Sequence, residues 1–102
     1  MKIAIKESET VEFKDSLYQL DKGLKSLSAR LNRSSHGALY FGVKDDGCIR
    51  GITIGEHTYQ YIRRRASELI KPKIVLDIAK KVIGGKDVVV VASSGNDTPY
   101  SC

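Results

Sequence analysis

The sequence predicts an α+β domain with two helices on one face of a mixed or antiparallel sheet of about five to six strands, in the order β-α-β-β-α-β-β. Three observations predict this class. Short alternating or β-branched segments recur along the 102-residue chain. Two longer segments carry apolar residues at helical spacing. Turn-forming residues separate these segments. A chain of this length holds one hydrophobic core, so residues 1–102 are expected to form a single domain.

The first half is predicted to contain a strand, a helix and a hairpin. Val11 and Phe13 alternate with charged residues, which is typical of a half-buried strand. A helix with one apolar face is predicted from four leucines, Leu20, Leu24, Leu27 and Leu31. Residues 38–43 are almost all apolar or aromatic, which indicates a central strand. The Asp45-Asp46-Gly47 turn is expected to send the chain back antiparallel over residues 48–52.

The second half is predicted to contain a helix and another hairpin. Residues 56–70 place five residues on an inward face, namely Tyr59, Ile62, Ala66, Leu69 and Ile70. Lys71-Pro72 should end this helix, because the residue before proline avoids the helical conformation. Residues 74–82 and 87–92 are β-branched runs around a Gly84-Gly85 turn. Residues 93–102 are polar and end with no closing strand, so we expect an N-terminal fragment of a longer protein.

Composition favours a cytoplasmic protein with no membrane partner. The apolar fraction of 41% and the charged fraction of 28% are ordinary for a globular domain. No apolar run approaches the length needed to cross a bilayer, and the N-terminus has no signal-peptide core. Two cysteines and two histidines at unrelated spacings do not predict a zinc site.

Basic residues form the first candidate constellation. The net charge of +5 favours polyanionic partners such as nucleic acid. Consecutive helical residues lie about 100° apart, so arginines 63–65 cannot all share one face. The alternative is a solvated helix face with local pairing to Glu68. The candidate contacts to a nucleic-acid backbone are Lys14, Lys25, Arg30, Arg33, Arg63, Arg64 and Arg65.

Acidic residues form the second constellation. Glu7, Glu9 and Glu12 alternate into the first strand, and Asp45 and Asp46 stand on the hairpin turn. Carboxylates that converge there would hold Mg²⁺ or Mn²⁺, ions that activate water and stabilise phosphoryl charge. The alternative is that the glutamates are solvated and the aspartates serve only the turn. The chain has no Walker A or Gly-x-Gly-x-x-Gly spacing, so a self-contained nucleotide site is not predicted.

Four short motifs, in order along the chain, resemble the Schlafen AlbA-like domain. Residues 7–14, Glu-Ser-Glu-Thr-Val-Glu-Phe-Lys, are similar to its E-S-x-x-x-E-F-K opening. Residues 31–47 resemble its A-N-x-x-G-G-x-L-x-I-G-V-x-D-D-G core. Ile70-Lys71-Pro72 and Thr98-Pro99-Tyr100 are similar to its I-x-P and x-P-Y segments. The resemblance spans nearly the whole chain.

The resemblance implies a DNA-binding module of bacterial transcriptional regulators, including proteins described as divergent AAA ATP-binding or RecG-helicase-related. In some animal members the same core carries a metal-dependent RNA-cleaving site, and its acids match Glu7, Glu12 and Asp45. This chain departs from the pattern, with a single Gly37 before the central strand and Lys44 where an acid is common. Those enzymes also clamp RNA with a duplicated arrangement, which this chain would imitate only as a homodimer.

We therefore expect a nucleic-acid-binding module, with DNA as the partner, rather than an enzyme. One alternative is a Mg²⁺- or Mn²⁺-dependent nuclease that uses the Glu-Glu-Asp site. Another is an oligomerisation or nucleotide-sensing domain. ATP binding would require residues outside this chain.

Overall fold

The computed structural model describes residues 6–8, 10–34, 36–71 and 76–94, except for the side chain of Ser34. The strands are β1 (Val11–Lys14), β2 (His36–Phe41), β3 (Asp77–Ile83) and β4 (Lys86–Ser94). The helices are α1 (Leu20–Ser34), which follows a short 3₁₀ turn at Leu17–Gln19, and α2 (Thr58–Leu69). None of the described helices is long and apolar enough to cross a membrane.

The four strands form one mixed sheet in the order β1-β2-β4-β3. β1 runs parallel to β2, with Val11 opposite Ala38, whereas β2 with β4 and β3 with β4 are antiparallel. The α+β class is confirmed, and so is the second hairpin, which β3 and β4 form. The prediction of about five to six strands is wrong, because the described chain contains four.

The predicted return strand over residues 48–52 accounts for part of this difference. Both edges of β2 are already paired, with β1 on one side and β4 on the other, so neither is left for a further strand. Gly42 turns the chain at φ +105°, a conformation that favours glycine. Beyond it, Val43 and Ile49 form an isolated bridge, and the amides of Arg50 and Gly51 donate to the Gly42 carbonyl at 2.8 and 2.9 Å.

The turn itself forms as predicted. The Gly47 amide donates to the Lys44 carbonyl at 2.8 Å, and the Asp46 carboxylate accepts from the Cys48 amide at 2.9 Å. Turn chemistry was therefore predicted correctly, while the strand after it was not, because pairing depends on which neighbours occupy the sheet.

Both helices pack on one face of the sheet, as predicted. The four leucines of the predicted apolar stripe are at most 1% exposed. They share a buried cluster with Leu39 and Phe41 of β2, with Val89 and Val91 of β4, and with Ile62 and Ala66 of α2. Asp21 in the first turn of α1 and Arg33 in its last turn complement the helix dipole. The inward face of α2 is confirmed, with Tyr59 and Leu69 only partly buried.

The opposite face of the sheet carries a smaller cluster. Phe13 and Tyr40 lie side by side on adjacent strands, with their rings edge to face at 6.0 Å, next to Val88 and Val90. Several predicted features lie outside the described residues. These are Pro72, the start of the run at 74–82, the polar end at 95–102 and the Thr98-Pro99-Tyr100 motif.

Candidate nucleic-acid interface

The two helices carry the whole charge surplus of the chain. α1 and α2 contain seven Lys or Arg residues and two carboxylates, Asp21 and Glu68, which leaves a surplus of five. The net charge of the chain is also +5, so the remaining ten cations and ten carboxylates cancel. We use the name outer helical surface for the exposed cations of this layer, Lys22, Lys25, Arg33, Arg63 and Arg64.

Arg30 is directed inward, away from this surface. Its side chain is 12% exposed, and its Nη2 donates to Glu12 Oε1 at 2.8 Å. Its Nη1 donates to the Ser8 carbonyl, so α1 is tied to the segment before β1. Lys14 Nζ lies 3.4 Å from the other Glu12 oxygen. Two of the seven predicted nucleic-acid contacts, Arg30 and Lys14, therefore neutralise a carboxylate of the domain itself.

Glu12 is ionised in this network. Burial alone raises its pKa, but hydrogen bonds from Arg30 and Ser26 and the charges of Lys14 and Arg30 outweigh burial. The pKa of Glu12 consequently lies below its ordinary value. Glu12 and Arg30 are 18 residues apart in sequence, and they meet because β1 packs beside α1.

Arg65 also has a partner within the domain. Its Nε and Nη2 donate to the two oxygens of Asp21 at 3.1 and 2.8 Å, which joins α2 to α1. The hydrogen bond from Arg65 is the main reason that the pKa of Asp21 lies below its ordinary value. A bidentate pair of this kind orients both helices but leaves little net charge for a ligand.

The other predicted contacts keep most of their charge exposed. Lys25 and Arg33 form no ion pair within the described part of the chain. Arg63 donates to the Leu76 carbonyl at 3.0 Å, which leaves its positive charge unneutralised. The Arg64 side chain is 69% exposed, 3.9 Å from Glu68 and 5.7 Å from the centre of the Tyr61 ring. The structure thus divides the predicted set into an inward and an outward group.

The predicted acidic site is distributed over three environments. Glu7 Oε1 accepts from the Phe13 amide at 2.8 Å, so this carboxylate is bound to β1. Both oxygens of Glu12 face cations. Asp45 is exposed and lines a cleft of about 460 Å³ with Lys14 and Lys44. Among the described residues, no three His, Cys, Asp or Glu side chains form a group that could hold a metal ion.

The ion pairs of Glu12 also affect how strongly it would attract a metal ion. Two cations of the domain already balance its charge, so Glu12 offers a divalent ion less attraction than a free carboxylate would. The Glu7-Glu12-Asp45 metal and nuclease hypothesis stays a prediction.

The sequence patterns did not single out Tyr18 or Arg50 as candidate site residues. Both line a second cleft, of about 560 Å³, between residues 15–21 and 50–53, with Tyr61 of α2 also in its wall. Tyr18 is fully exposed. The sequence offers one signal for Tyr18: it lies just before the four leucines but does not share their helical spacing, so it is not expected on their buried face. Arg50 carried no comparable signal, since only the turn after Gly42 brings its segment to residues 15–21.

The family model described as Schlafen, AlbA_2 matches residues 7–101. The chain belongs to this family. The resemblance inferred from the four motifs is therefore confirmed, and the glycines of the AlbA_2 core have structural reasons. A Cβ on Gly37 would lie 2.9 Å from Leu27 Cδ1, so α1 packs directly against the start of β2. Gly42 has the positive φ described above.

Solved structures share the AlbA_2 fold. The chain aligns over 94% of its length with the DIP2311 protein of Corynebacterium diphtheriae, with a TM-score of 0.69 and 19% identity. It spans 20% of that protein chain. It also aligns over 92% of its length with the N-terminal domain of a Nitrosomonas europaea protein described as related to the ATP-dependent DNA helicase RecG. That match has a TM-score of 0.66 and 17% identity, and covers 68% of the second chain. No curated protein matches the sequence.

Proposed function

We propose that this AlbA_2 domain binds nucleic acid, with duplex DNA as its target, through phosphate contacts on the outer helical surface. The observation that carries the proposal is the charge distribution, because the surplus of five positive charges lies entirely on α1 and α2. A cationic layer on an otherwise balanced domain is the electrostatic footprint of a polyanion-binding protein.

The length of α1 suits a duplex backbone. Lys22 and Arg33 are eleven residues apart, which corresponds to about 16 Å along a helix. Duplex DNA carries one negative charge per about 1.7 Å of axis, so phosphates are within reach of every exposed cation on this helix. Contacts of this type position a protein on DNA without reading its sequence.

The inward arginines contribute differently to this function. Arg30 and Arg65 hold α1 against β1 and α2, and so preserve the arrangement of the outward cations. In this proposal they are positioning residues, while Lys22, Lys25, Arg33, Arg63 and Arg64 contact the phosphates.

Two of the structural comparisons support a proposal about the longer protein to which this domain would belong. One structural neighbour is described as RecG-related, and the chain spans a fifth of the other. We place the domain within a longer DNA-acting protein, such as a transcriptional regulator, in which any ATP binding belongs to other segments. A homodimer would double the cationic surface. Sedimentation with and without duplex measures the oligomeric state.

Salt-dependent binding to a short labelled duplex tests the proposal. The logarithm of the association constant should fall linearly with the logarithm of the salt concentration, by about 0.9 per phosphate contact. The variant Lys22→Gln/Lys25→Gln should reduce this slope by about 1.8 if both lysines contact phosphate.

The matched control is Lys80→Gln/Lys81→Gln, which removes two exposed lysines from β3, outside the helical layer. It should keep the wild-type slope. Equal losses in the two variants would refute the outer helical surface as the interface. Absence of duplex binding, or binding that ignores salt, would refute the proposal as a whole.

A further inference from the structure

The cleft lined by Tyr18, Arg50 and Tyr61 is not used by the duplex interface. It opens between the β1–α1 connection and the segment after the Asp-Asp-Gly turn, and its volume is about 560 Å³. Clefts of roughly 300–1,000 Å³ accommodate small organic ligands, and this cleft is large enough to admit a nucleobase.

Two of its walls are exposed aromatic rings. Tyr18 is fully exposed and Tyr61 is 42% exposed. In the described part of the chain, Val82 is the only other large apolar residue with comparable exposure. Both tyrosines thus line the same cleft instead of being scattered over the surface. An exposed ring offers a flat apolar face, on which a nucleobase stacks.

The cleft is lined by one cation, Arg50, and by two carboxylates, Asp15 and Asp21. Its two carboxylates both face arginines, with Asp21 held by Arg65 and Asp15 lying 3.6 Å from Arg50. The Arg50–Asp15 pair is weak because it is exposed, with 58% of the Arg50 side chain accessible. The Arg50 guanidinium therefore remains available to a phosphate.

The cleft is continuous with the outer helical surface. Arg64 belongs to that surface, and its guanidinium lies 5.7 Å from the centre of the Tyr61 ring. A strand whose phosphates follow α2 would consequently reach Tyr61 first and then the cleft.

We infer that this cleft binds an unpaired nucleobase of single-stranded DNA or RNA, with the base in contact with the rings of both Tyr18 and Tyr61 and an adjacent phosphate at Arg50. The inference rests on the proposed function and adds a preference for unpaired strand at this site. Bases of a duplex are stacked on each other and cannot enter, whereas unpaired bases can be splayed onto aromatic rings. One stacked base changes affinity by roughly tenfold to hundredfold.

The experiment uses a labelled single strand that carries one 2-aminopurine, made as DNA and as RNA of the same sequence. Stacking on a tyrosine should quench the 2-aminopurine fluorescence. Tyr18→Ala and Tyr61→Ala should each weaken single-strand binding by about tenfold and reduce the quenching. Duplex affinity should stay within about twofold of wild type, because phosphates alone contact the helices.

Matched variants separate stacking from folding. Tyr18→Phe and Tyr61→Phe keep the ring, and they should bind and quench as the wild type does. Val82→Ala removes an exposed apolar side chain outside the cleft and should change neither. Tyr18 is fully exposed, so its truncation should leave the far-ultraviolet circular dichroism spectrum unchanged.

The outcomes distinguish the two proposals. If both alanine variants quenched the fluorescence and bound the single strand as the wild type does, the proposed base-binding site in the cleft would be refuted. This would hold even if salt-dependent duplex binding were intact. Tyrosine-dependent single-strand binding without duplex binding would support the cleft and refute the duplex target. Competition by a free mononucleotide at the affinity of the strand would assign the cleft to nucleotides and overturn the inference. Failure to bind single-stranded DNA, single-stranded RNA and duplex alike would refute both the duplex interface and the cleft site.

Discussion

Arg30 and Arg33 lie one turn apart on α1, yet their surroundings differ completely. Arg30 is 12% exposed and donates to Glu12 and to the Ser8 carbonyl, whereas Arg33 is exposed and forms no ion pair in the described part of the chain. The neighbours Arg64 and Arg65 on α2 show the same contrast, since Arg65 donates to Asp21 whereas the Arg64 side chain is 69% exposed. Residue type is the same within each comparison, so the carboxylate on the adjoining element decides the role.

The largest effect is expected from removing the inward Arg30. Arg30→Met should lower the free energy of unfolding by about 2–3 kcal/mol, because it leaves the half-buried Glu12 charge with Lys14 as its remaining cation. Urea unfolding measures this change. Arg33→Met, one turn along the helix, should leave the unfolding midpoint nearly unchanged.

Adding Glu12→Gln to Arg30→Met sharpens this test, since it removes the unpaired charge and should restore part of the lost stability. Equal destabilisation by Arg30→Met and Arg33→Met would contradict the division into inward and outward cations.

The next effect concerns pH. The pKa of Glu12 is lowered in the folded protein, so its contribution to stability is present above the unfolded value of about 4.3. This contribution is lost as the pH falls through the lower, folded pKa. Urea midpoints measured between about pH 7 and pH 3 should therefore fall less steeply in Glu12→Gln than in the wild type. Parallel pH profiles would show that Glu12 is not held by Arg30 and Lys14.

A smaller effect is expected from the exposed Asp21–Arg65 pair. Asp21→Asn should lower the melting temperature less than Arg30→Met does, because water screens this pair. The difference from wild type should shrink in molar salt, where the screening length is about 3 Å. Asp77→Asn, an exposed aspartate on β3, is the control and should show no such salt dependence. A loss that persists in molar salt would mean that the pair acts by packing.

The smallest effect on stability is expected at the outward cations. Lys25→Gln/Arg33→Gln should lower the unfolding midpoint only slightly, because Arg33 loses its interaction with the helix dipole but neither side chain has an ion pair to lose in the described part of the chain. The same variant should weaken duplex binding several-fold and reduce the salt slope by about 1.8. Loss of stability together with loss of binding would show that these residues belong with the inward group.

Local sequence patterns determined a large part of this fold. The spacing of four leucines predicts α1 and its buried face, since a 3.6-residue period is a property of the helix itself. The Asp-Asp-Gly turn and the Gly84-Gly85 turn were likewise predicted, because turn chemistry depends on a few adjacent residues. The motif order also identified the AlbA_2 family.

Strand pairing, ion pairs and clefts were decided only by the tertiary structure, because they depend on residues that are distant in sequence. Residues 48–52 form no strand, because β1 and β4 already occupy both edges of β2. The seven predicted cations divide into two groups, because Glu12 and Asp21 come from elements 18 and 44 residues away from their arginines. The Tyr18–Tyr61 cleft likewise joins three separate segments. Sequence determined the periodic and local elements, whereas edges, ion pairs and clefts followed from the packing of segments that no local pattern relates.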